Sequence, residues 1–374
     1  MASLSHPSTN GGRSFQRVVA AFLSQPGLPF AQVLAAERIE RMFAQHGNLF
    51  GGGGIYSTAV LVWSFLGQVL HGGKLASCQA AVACVVTYRE LLGESTPTSD
   101  TGDDCRARAK LCEAALHDLT VEIAAEVEQQ ADAKWLWKGQ HAKLIDGFTC
   151  TMPDTAQNQA EYPAPKSQKP GVGLPIARAA VILSLATACA MELALGPYAG
   201  QQTGETALLR RLLGALHPGD VAVMDRDYCS FMMIALLLGQ GVQVCARMHS
   251  KRQVDFRRGR RLGKYDHVIV WTKPQRPTWM DPATYATIPD TLELREIRYH
   301  VVAKGRRTQL LTVVTTLTDA EVYSQEEIAE LYSFRWNAEL DICSIKPALH
   351  CVTCVASLPR WSAKNCGRRC WVTT

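Results

Sequence analysis

The hydrophobic pattern of the chain changes near Gly139, and this change limits the folds that the sequence can adopt. Between Phe30 and Gln130, apolar residues recur at helical spacing in segments such as "STAVLVWSFLGQVL", and Gly-rich breaks separate the segments. After Gly139 the apolar runs become short, as in "AKLIDGFTC" and "DVAVMDRD", and they alternate with helical stretches. The sequence therefore predicts a helical first unit followed by a mixed α/β sheet.

The same pattern divides the chain into four parts. A helical unit precedes a core of strands and helices, a basic and strand-rich segment interrupts that core, and a Cys-rich tail follows it. We predict the helical domain at 1–135, the core at 136–248 and 318–350, the β-rich insertion at 249–317 and the aberrant tail at 351–374.

Composition is that of a globular protein with a mild basic excess. Hydrophobic residues make up 47% of the 374 residues, which is enough for a large core, and the net charge is +5. Such a charge is compatible with a polyanionic partner but does not by itself indicate one. The thirteen Cys lack the paired spacing of a disulfide framework, and no secretory signal pattern opens the sequence. We therefore expect a cytoplasmic protein.

Two apolar runs are long enough to be considered as membrane spans. The run from Ile55 to Leu70 is short and contains Ser and Gln, while the run from Ala177 to Gly196 contains Arg178 and Glu192. We predict a buried helix for the first run and buried strands for the second, and no membrane segment.

Two acidic residues follow apolar strands. Asp146 ends "KLID" and Asp225 ends "VAVMD". A lone acid at a strand end is usually a turn residue, but side chains at such ends also build sites in α/β sheets. Together with Glu339 on a later helix, the two acids would repel one another unless divalent cations were bound. Two hard cations about 4 Å apart could then clamp the oxygens of a phosphodiester under attack.

A polar stripe marks the helix that contains Glu339. At roughly 100° per residue, four side chains fall within about 60° of one another on this helix, namely Tyr332, Arg335, Glu339 and Lys346. The simpler reading is an exposed face with an Arg335–Glu339 pair. A metal-binding Glu paired with Arg would hold metal less well, so we expect Arg335 to face a phosphate instead.

The spacing of these four residues resembles a family signature. Y-x2-R-x3-E-x6-K is typical of the DDE transposases of bacterial insertion sequences, in the group called insertion sequence family four. The segments "DGFTCTMPDT" around Asp146 and "GDVAVMDRDYCS" around Asp225 are also similar to that family. The resemblance runs from about Glu37 to Leu349.

This resemblance implies a fold, an activity and a set of partners. The fold would be an RNase H-like catalytic core with an N-terminal helical domain and a β-rich insertion between the second and third acids. The catalytic metal ligands would be Asp146, Asp225 and Glu339, with two Mg²⁺ or Mn²⁺ ions. The partners would be double-stranded DNA of the element ends and of the target, bound by a homodimer. The resemblance implies no small-molecule substrate and a nucleoid-associated location.

Two neighbouring acids leave the ligand set open. Asp227 follows Asp225 by two residues, so on a continued strand it would point to the same face. Family position favours Asp225. Asp154, in "MPDT", is expected to be a turn or cap acid, with a metal role as the alternative.

Basic side chains are expected to contact DNA phosphates. The resemblance implies that three residues bind DNA phosphates near the cut, namely Tyr332, Arg335 and Lys346. A basic run before the insertion strands is usually a solvated loop, yet its place favours a backbone contact, and its central residues are Arg257, Arg258, Arg260 and Arg261. Trp271 and Trp279 follow it; we predict core packing for both, with base stacking as the alternative.

The C-terminal 24 residues do not continue the family pattern. They contain four Cys with C-x2-C-x11-C-x3-C spacing, namely Cys351, Cys354, Cys366 and Cys370. A zinc site is one explanation, and a change of reading frame near His350 is the favoured one. The second would leave a truncated, catalytically inactive DNA-binding remnant as the alternative to an active transposase. An RNase H-like nuclease without strand transfer is a third possibility.

Overall fold

A computed structural model describes residues 3–5, 19–71, 73–152, 154–165, 173–302 and 309–336. Within these residues, one mixed ten-stranded sheet runs through the molecule and helices lie against it. The predicted mixed α/β class is confirmed. Glu339, Lys346 and the Cys-rich tail lie outside the described residues.

The first part of the chain is helical, as its periodicity predicted. Ile39, Met42 and Phe43 form one buried stripe on the first helix, at the i, i+3, i+4 spacing of an amphipathic helix. Side-chain hydroxyls of Ser57 and Ser77 cap the next two helices. The helices of this part are α1 (Ala36–Gln45), α2 (Thr58–Leu70), α3 (Cys78–Leu91), α4 (Gly102–Ala109) and α5 (Glu113–Gln129).

The described strands all belong to one sheet. The strands are β1 (Ser3–Ser5), β2 (Ala142–Thr151), β3 (Ile176–Ser184), β4 (Ala190–Pro197), β5 (Val221–Met224), β6 (Gln243–Arg247), β7 (Arg260–Gly263), β8 (Asp266–Thr272), β9 (Thr291–Val302) and β10 (Gln309–Thr315). Their order in the sheet is β4-β3-β2-β5-β6-β10-β9-β8-β7, and β1 pairs in parallel with β9. The apolar run from Ala177 to Gly196 forms two buried strands, β3 and β4, as predicted.

Two pairing patterns meet in this sheet. β2, β5 and β6 run parallel to one another, while β3 and β4 add antiparallel strands on the β2 side. On the other side, β10 pairs antiparallel with β6 and carries β9, β8 and β7 after it. The strand-rich stretch that we predicted as an insertion thus extends the same sheet through β10. The predicted domain boundaries stay a prediction.

Helices cover both faces of the sheet. The remaining helices are α6 (Ala156–Glu161), α7 (Glu205–Leu212), α8 (Phe231–Gly239), α9 (Pro282–Thr287) and α10 (Gln325–Ser333). One hydrophobic core joins the N-terminal helices and α10 to the sheet, and the other joins α7 and α8 to its opposite face. Successive residues of β5 point to opposite faces of the sheet. Val223 packs in the first core and Met224 in the second.

Two ion pairs connect the helical part to the sheet. The Nζ of Lys143 on β2 lies 2.5 Å from Oε1 of Glu128 on α5, and both side chains are buried. The Nε2 of His117, also on α5, lies 2.8 Å from Oε1 of Glu192 on β4. No helix in the described part of the chain is both long and apolar enough to cross a bilayer.

Candidate active site at the ends of two parallel strands

The structure brings Asp146 and Asp225 side by side. The strands β2 and β5 are parallel neighbours, and their register pairs Ile145 with Met224. Each acid is the next residue after its member of that pair. Asp225 keeps extended backbone angles, φ −76° and ψ 170°, so it continues the line of β5. The two acids therefore lie at the ends of neighbouring strands, and their meeting with Glu339 in one crevice stays a prediction.

The two acids point toward the core that includes α10. Side chains alternate along a strand, so Asp146 shares its face of β2 with Leu144, and Asp225 shares its face of β5 with Val223. Leu144 and Val223 belong to the core that also contains Tyr332. The helix α10, which carries Tyr332, thus lies over the face that carries the acids.

Arg335 reaches the first acid. Its Nη1 lies 3.5 Å from Oδ2 of Asp146, and the two side chains are 7% and 16% exposed. The Oδ1 of Asp146 accepts the backbone N–H of Gly147 at 2.8 Å. Because little water screens this pair, the guanidinium partly neutralises Asp146. Arg335 therefore faces an acid of the candidate site. The predicted contact of Arg335 with a DNA phosphate stays a prediction.

Asp225 has an unusual environment for a carboxylate. Its Oδ1 is buried and has no hydrogen-bond partner among the described residues. A buried carboxylate oxygen without a partner is costly, and a bound cation would remove that cost. Two adjacent carboxylates offer the hard oxygen ligands that Mg²⁺ and Mn²⁺ prefer, so the described part of the donor set fits such an ion.

Tyr332 is buried beside these groups, with 2% of its surface exposed. Burial is the main cause that raises the pKa of its hydroxyl, the charge of Arg335 opposes this rise, and the charge of Asp225 adds to it. The phenol therefore stays protonated and can donate one hydrogen bond near the acids. The other two residues of the polar stripe, Glu339 and Lys346, lie beyond the described residues.

Asp227 does not share the geometry of Asp225. The chain leaves the strand and forms a 3₁₀ turn over Arg226–Tyr228, so the premise of a continued strand was wrong. The Asp227 side chain is 66% exposed and its Oδ1 lies 3.9 Å from Nε of Arg226. This turn separates the two acids that the sequence left as alternatives. Asp225 as the second ligand remains a prediction.

Asp154 lies just before α6, whose N-cap is Thr155. Its Oδ1 accepts a hydrogen bond from Nε2 of Gln159 at 2.8 Å. These are the contacts of an acid at a turn before a helix, which was the favoured interpretation.

A fourth carboxylate near the site was missed in the sequence. Glu205 begins α7 and packs against Gly147, where a Cβ would lie 2.4 Å from its Cδ. Burial raises the pKa of Glu205, Arg178 opposes the rise, and the charges of Asp146 and Asp227 add to it. Residue 147 faces the side of β2 opposite to Asp146. No local motif marks Glu205, because only the fold brings the first residue of α7 against Gly147.

The basic run is exposed and lies far along the sheet from the acids. Arg260 and Arg261 are on β7, the edge strand, five strand spacings from β5, or roughly 24 Å at 4.8 Å per strand. Arg257 is 90% exposed and pairs with Asp255, whose carboxyl pKa its guanidinium lowers to about 2. Arg258 also approaches Asp255, at 3.6 Å. The structure does not bring this run together with the acids.

The two tryptophans after the basic run differ in burial. Trp271 is 3% exposed, and its Nε1 donates to Oε1 of Glu296 at 2.9 Å. Its predicted core role is confirmed. Trp279 is partly buried, and the guanidinium of Arg210 lies 3.9 Å from its ring centroid. Packing and a cation–π contact account for both rings.

The chain is similar in sequence to known transposases. A family model described as "Transposase DDE domain" matches residues 137–351. The transposase InsG for insertion sequence element IS4 of Escherichia coli (strain K12) is 24% identical over 220 residues, which cover 57% of this chain and 46% of that protein. The chain thus spans about half the length of this curated relative. Since the family model matches more than half of the chain, the chain belongs to the DDE transposases of insertion sequences.

Proposed function

We propose that the protein cuts DNA strands at the ends of an insertion sequence and joins them to target DNA, in a reaction that depends on divalent metal. The observation that carries this proposal is the pairing of Asp146 and Asp225 at the ends of parallel neighbours β2 and β5. The buried, unpartnered Oδ1 of Asp225 supports a cation there. Membership in the transposase family supports DNA as the substrate.

We further propose that β2 to β6 form an RNase H-like core. The antiparallel strands β4, β3 and β2 followed by the parallel strands β5 and β6 support this assignment. The site lies where two of the parallel strands end, which is the edge at which α/β sheets commonly carry sites. In this proposal the residues 1–135 form a domain for DNA binding and assembly, and 249–317 form the β-rich insertion.

The metal-holding residues would be Asp146, Asp225 and Glu339, with two Mg²⁺ or Mn²⁺ ions. When bound, such ions stabilise the negative charge that develops on the attacking and leaving oxygens of a phosphodiester. Asp225 would bring a carboxylate that is already desolvated on one oxygen. Asp146 would exchange part of its contact with Arg335 for a cation.

The basic side chains would then hold the DNA. Arg335 is buried next to Asp146, so a phosphate bound there would sit against the acids. Tyr332 would donate a hydrogen bond from its protonated hydroxyl, and Lys346 would add a charge. The exposed Arg257, Arg258, Arg260 and Arg261 would bind the backbone of the same duplex away from the cut. Because two element ends are held together, the protein would act as a homodimer on DNA. It would be located in the cytoplasm, associated with the nucleoid.

The experiment compares two neighbouring acids. Purified protein is incubated with Mg²⁺ or Mn²⁺ and labelled DNA that carries the element ends. We expect Asp225→Asn to lower the cleavage rate by roughly a hundredfold or more, because a metal contributes several kcal/mol to such a reaction. Asp227→Asn is the matched control. It removes the same charge only two residues from Asp225, but at a side chain that is exposed.

Each product pattern has one meaning. Cleavage and joined products that both vanish in Asp225→Asn support the proposal. Binding of the end DNA without cleavage by the unmodified protein would instead support the inactive remnant. Cleavage without joined products would support a nuclease. An equal loss in Asp225→Asn and Asp227→Asn would contradict the assignment of Asp225.

A further inference from the structure

A second group of metal-binding side chains lies in the helical part of the chain, apart from the strand ends. Cys78 is the first residue of α3, and Asp104 and Cys105 are in the first half of α4. One donor atom from each, the two Sγ atoms and a carboxylate oxygen, lie within 4.8 Å of one another. Two thiols and a carboxylate at this separation are a donor set for a soft divalent ion.

The two carboxylate oxygens of Asp104 have different surroundings. Its side chain is fully buried, and its Oδ2 accepts a hydrogen bond from Nη2 of Arg108 at 2.6 Å. Its Oδ1 is also buried, and it has no hydrogen-bond partner among the described residues. Arg108 thus satisfies one oxygen of Asp104, and one carboxylate oxygen of Asp104 lies within 4.8 Å of the two Sγ atoms. A cation at that point would satisfy the second oxygen.

The side chains around the cluster hold its ligands in place. Gln68, on α2, donates from its Nε2 to Sγ of Cys78 at 3.8 Å. The same Gln68 accepts a hydrogen bond from Nη1 of Arg108 through its Oε1. A chain of hydrogen bonds thus runs from Cys78 through Gln68 and Arg108 to Asp104. Such outer hydrogen-bond partners orient the ligands of metal sites.

We infer that Cys78, Asp104 and Cys105 bind one Zn²⁺ ion. Thiolates select zinc over the hard ions proposed for the strand ends. Zn–S and Zn–O distances of about 2.3 and 2.0 Å place tetrahedral donor atoms about 3.5–3.8 Å apart, so donor atoms within 4.8 Å of one another would approach by no more than about 1.3 Å. The two thiols release their protons to the solvent on binding. Cys105 is exposed, so a water molecule completes the tetrahedron from the solvent side.

This site would fasten two helices to each other. α4 has eight residues, and its N-cap Thr101 makes no side-chain capping hydrogen bond. A helix that short is marginal without tertiary contacts. Zinc would tie its first half to the start of α3, and through Gln68 to α2. The inference concerns the helical part alone and does not depend on the proposed cleavage activity.

The first test uses the unmodified full-length protein. Metal-free protein is treated with N-ethylmaleimide with and without one equivalent of Zn²⁺, and modification of each Cys is measured by peptide mass spectrometry. We expect zinc to protect Cys78 and Cys105 and to leave Cys84 unchanged. Cys84 is the matched control, because it is on the same helix α3 and is partly buried like Cys78.

The second test measures zinc binding in variants. Cys78→Ser and Cys105→Ser are expected to lose one bound zinc, whereas Cys84→Ser keeps it. Gln68→Ala is expected to bind zinc roughly 10- to 100-fold more weakly, as outer partners usually contribute. A Cys351→Ser/Cys354→Ser variant separates any zinc held by the C-terminal cysteines.

Two results would overturn the inference. One is unchanged labelling of Cys78 and Cys105 when zinc is added to the unmodified protein. The other is a Cys78–Cys105 disulfide in protein purified under reducing conditions, since a disulfide removes both thiolate ligands. The labelling result needs no substitution, so it decides the question even if a variant fails to fold.

Discussion

The guanidinium of Arg335 lies 3.5 Å from the carboxylate of Asp146, the acid that we propose as a metal ligand. Both side chains are largely shielded from water, so the interaction between them is stronger than that of a surface pair. A bound metal and Arg335 therefore compete for the charge of Asp146. DNA phosphate would relieve this competition by giving Arg335 another anion.

The first prediction concerns metal affinity without DNA. Arg335→Gln removes the competing charge and keeps a polar side chain, although a shorter one. We expect the dissociation constant for Mn²⁺ to fall about tenfold, or ~1.4 kcal/mol, as measured by isothermal titration calorimetry. Cleavage of end DNA should fall in the same variant, because the phosphate contact is lost.

Arg335→Lys is the control for charge. It keeps a cation near Asp146 but lacks the bidentate geometry of Arg, so Mn²⁺ affinity should stay close to that of the unmodified protein. If Arg335→Gln bound Mn²⁺ more weakly than Arg335→Lys, the proposed competition would be wrong.

The second prediction concerns the close contact between Gly147 and Glu205. A Cβ at position 147 would lie 2.4 Å from Cδ of Glu205, so Gly147→Ala forces one of them to move. We expect a loss of about 1–3 kcal/mol in the free energy of unfolding, measured by urea denaturation. Cleavage should also fall, because the displaced backbone carries Asp146.

A double variant tests the cause of that loss. Glu205→Ala removes the atoms that the new Cβ would meet, so Gly147→Ala/Glu205→Ala should regain most of the stability. Gly239→Ala is the control, since a Cβ there meets no atom within 4 Å. Additive losses in the double variant would rule out the contact as the cause.

The sequence predicted the parts of the site that depend on local pattern. Apolar runs that end in Asp146 and Asp225 identified two strand ends, and the parallel register of β2 and β5 brings these ends together. The spacing of Tyr332 and Arg335 placed both on one side of a helix, and the two side chains are buried near the acids. Family resemblance supplied the chemistry that these positions imply.

Other features depend on contacts that no local pattern encodes. Glu205 comes close to Gly147 only because α7 packs on β3 and β4 beside β2, and the two residues are far apart in the chain. The position of Asp227 depends on a 3₁₀ turn that begins one residue after Asp225. A strand continued by two residues has the same sequence pattern, so periodicity alone could not exclude it.

The third prediction compares two Lys–Glu pairs with the same separation. The Nζ–Oε1 distance is 2.5 Å for both Lys143–Glu128 and Lys138–Glu327, but the first pair is buried and the second is about one third exposed. We expect Lys143→Met to cost about 1–3 kcal/mol, because the largely buried Glu128 would lose its nearest cation and keep its contacts with His141 and Thr187. Lys138→Met should cost less than about 1 kcal/mol.

Both values come from chemical denaturation at neutral pH. A Lys143→Met/Glu128→Leu variant should recover much of the loss, since it removes both charges. Similar losses for Lys143→Met and Lys138→Met would mean that burial does not determine the strength of these pairs.

The last prediction concerns the dependence of stability on pH. The hydrogen bond from His117 to Glu192 is the largest cause that raises the pKa of His117 from 6.5 to about 9; partial burial opposes it, and Asp118 adds to it. The raised pKa means that the folded protein holds this proton more tightly than the unfolded chain. The contribution to stability is therefore complete below about pH 6.5 and is lost as the pH rises through about 9.

His117→Gln removes this proton site and keeps a side chain that can form hydrogen bonds. Since the His117 side chain is 31% exposed, we expect a difference of only about 1 kcal/mol from the unmodified protein at pH 6, and almost none at pH 10. Urea denaturation of both proteins across this range measures the difference directly, because other titrating groups cancel. A difference that stayed constant from pH 6 to pH 10 would show that His117 contributes through packing rather than through its charge.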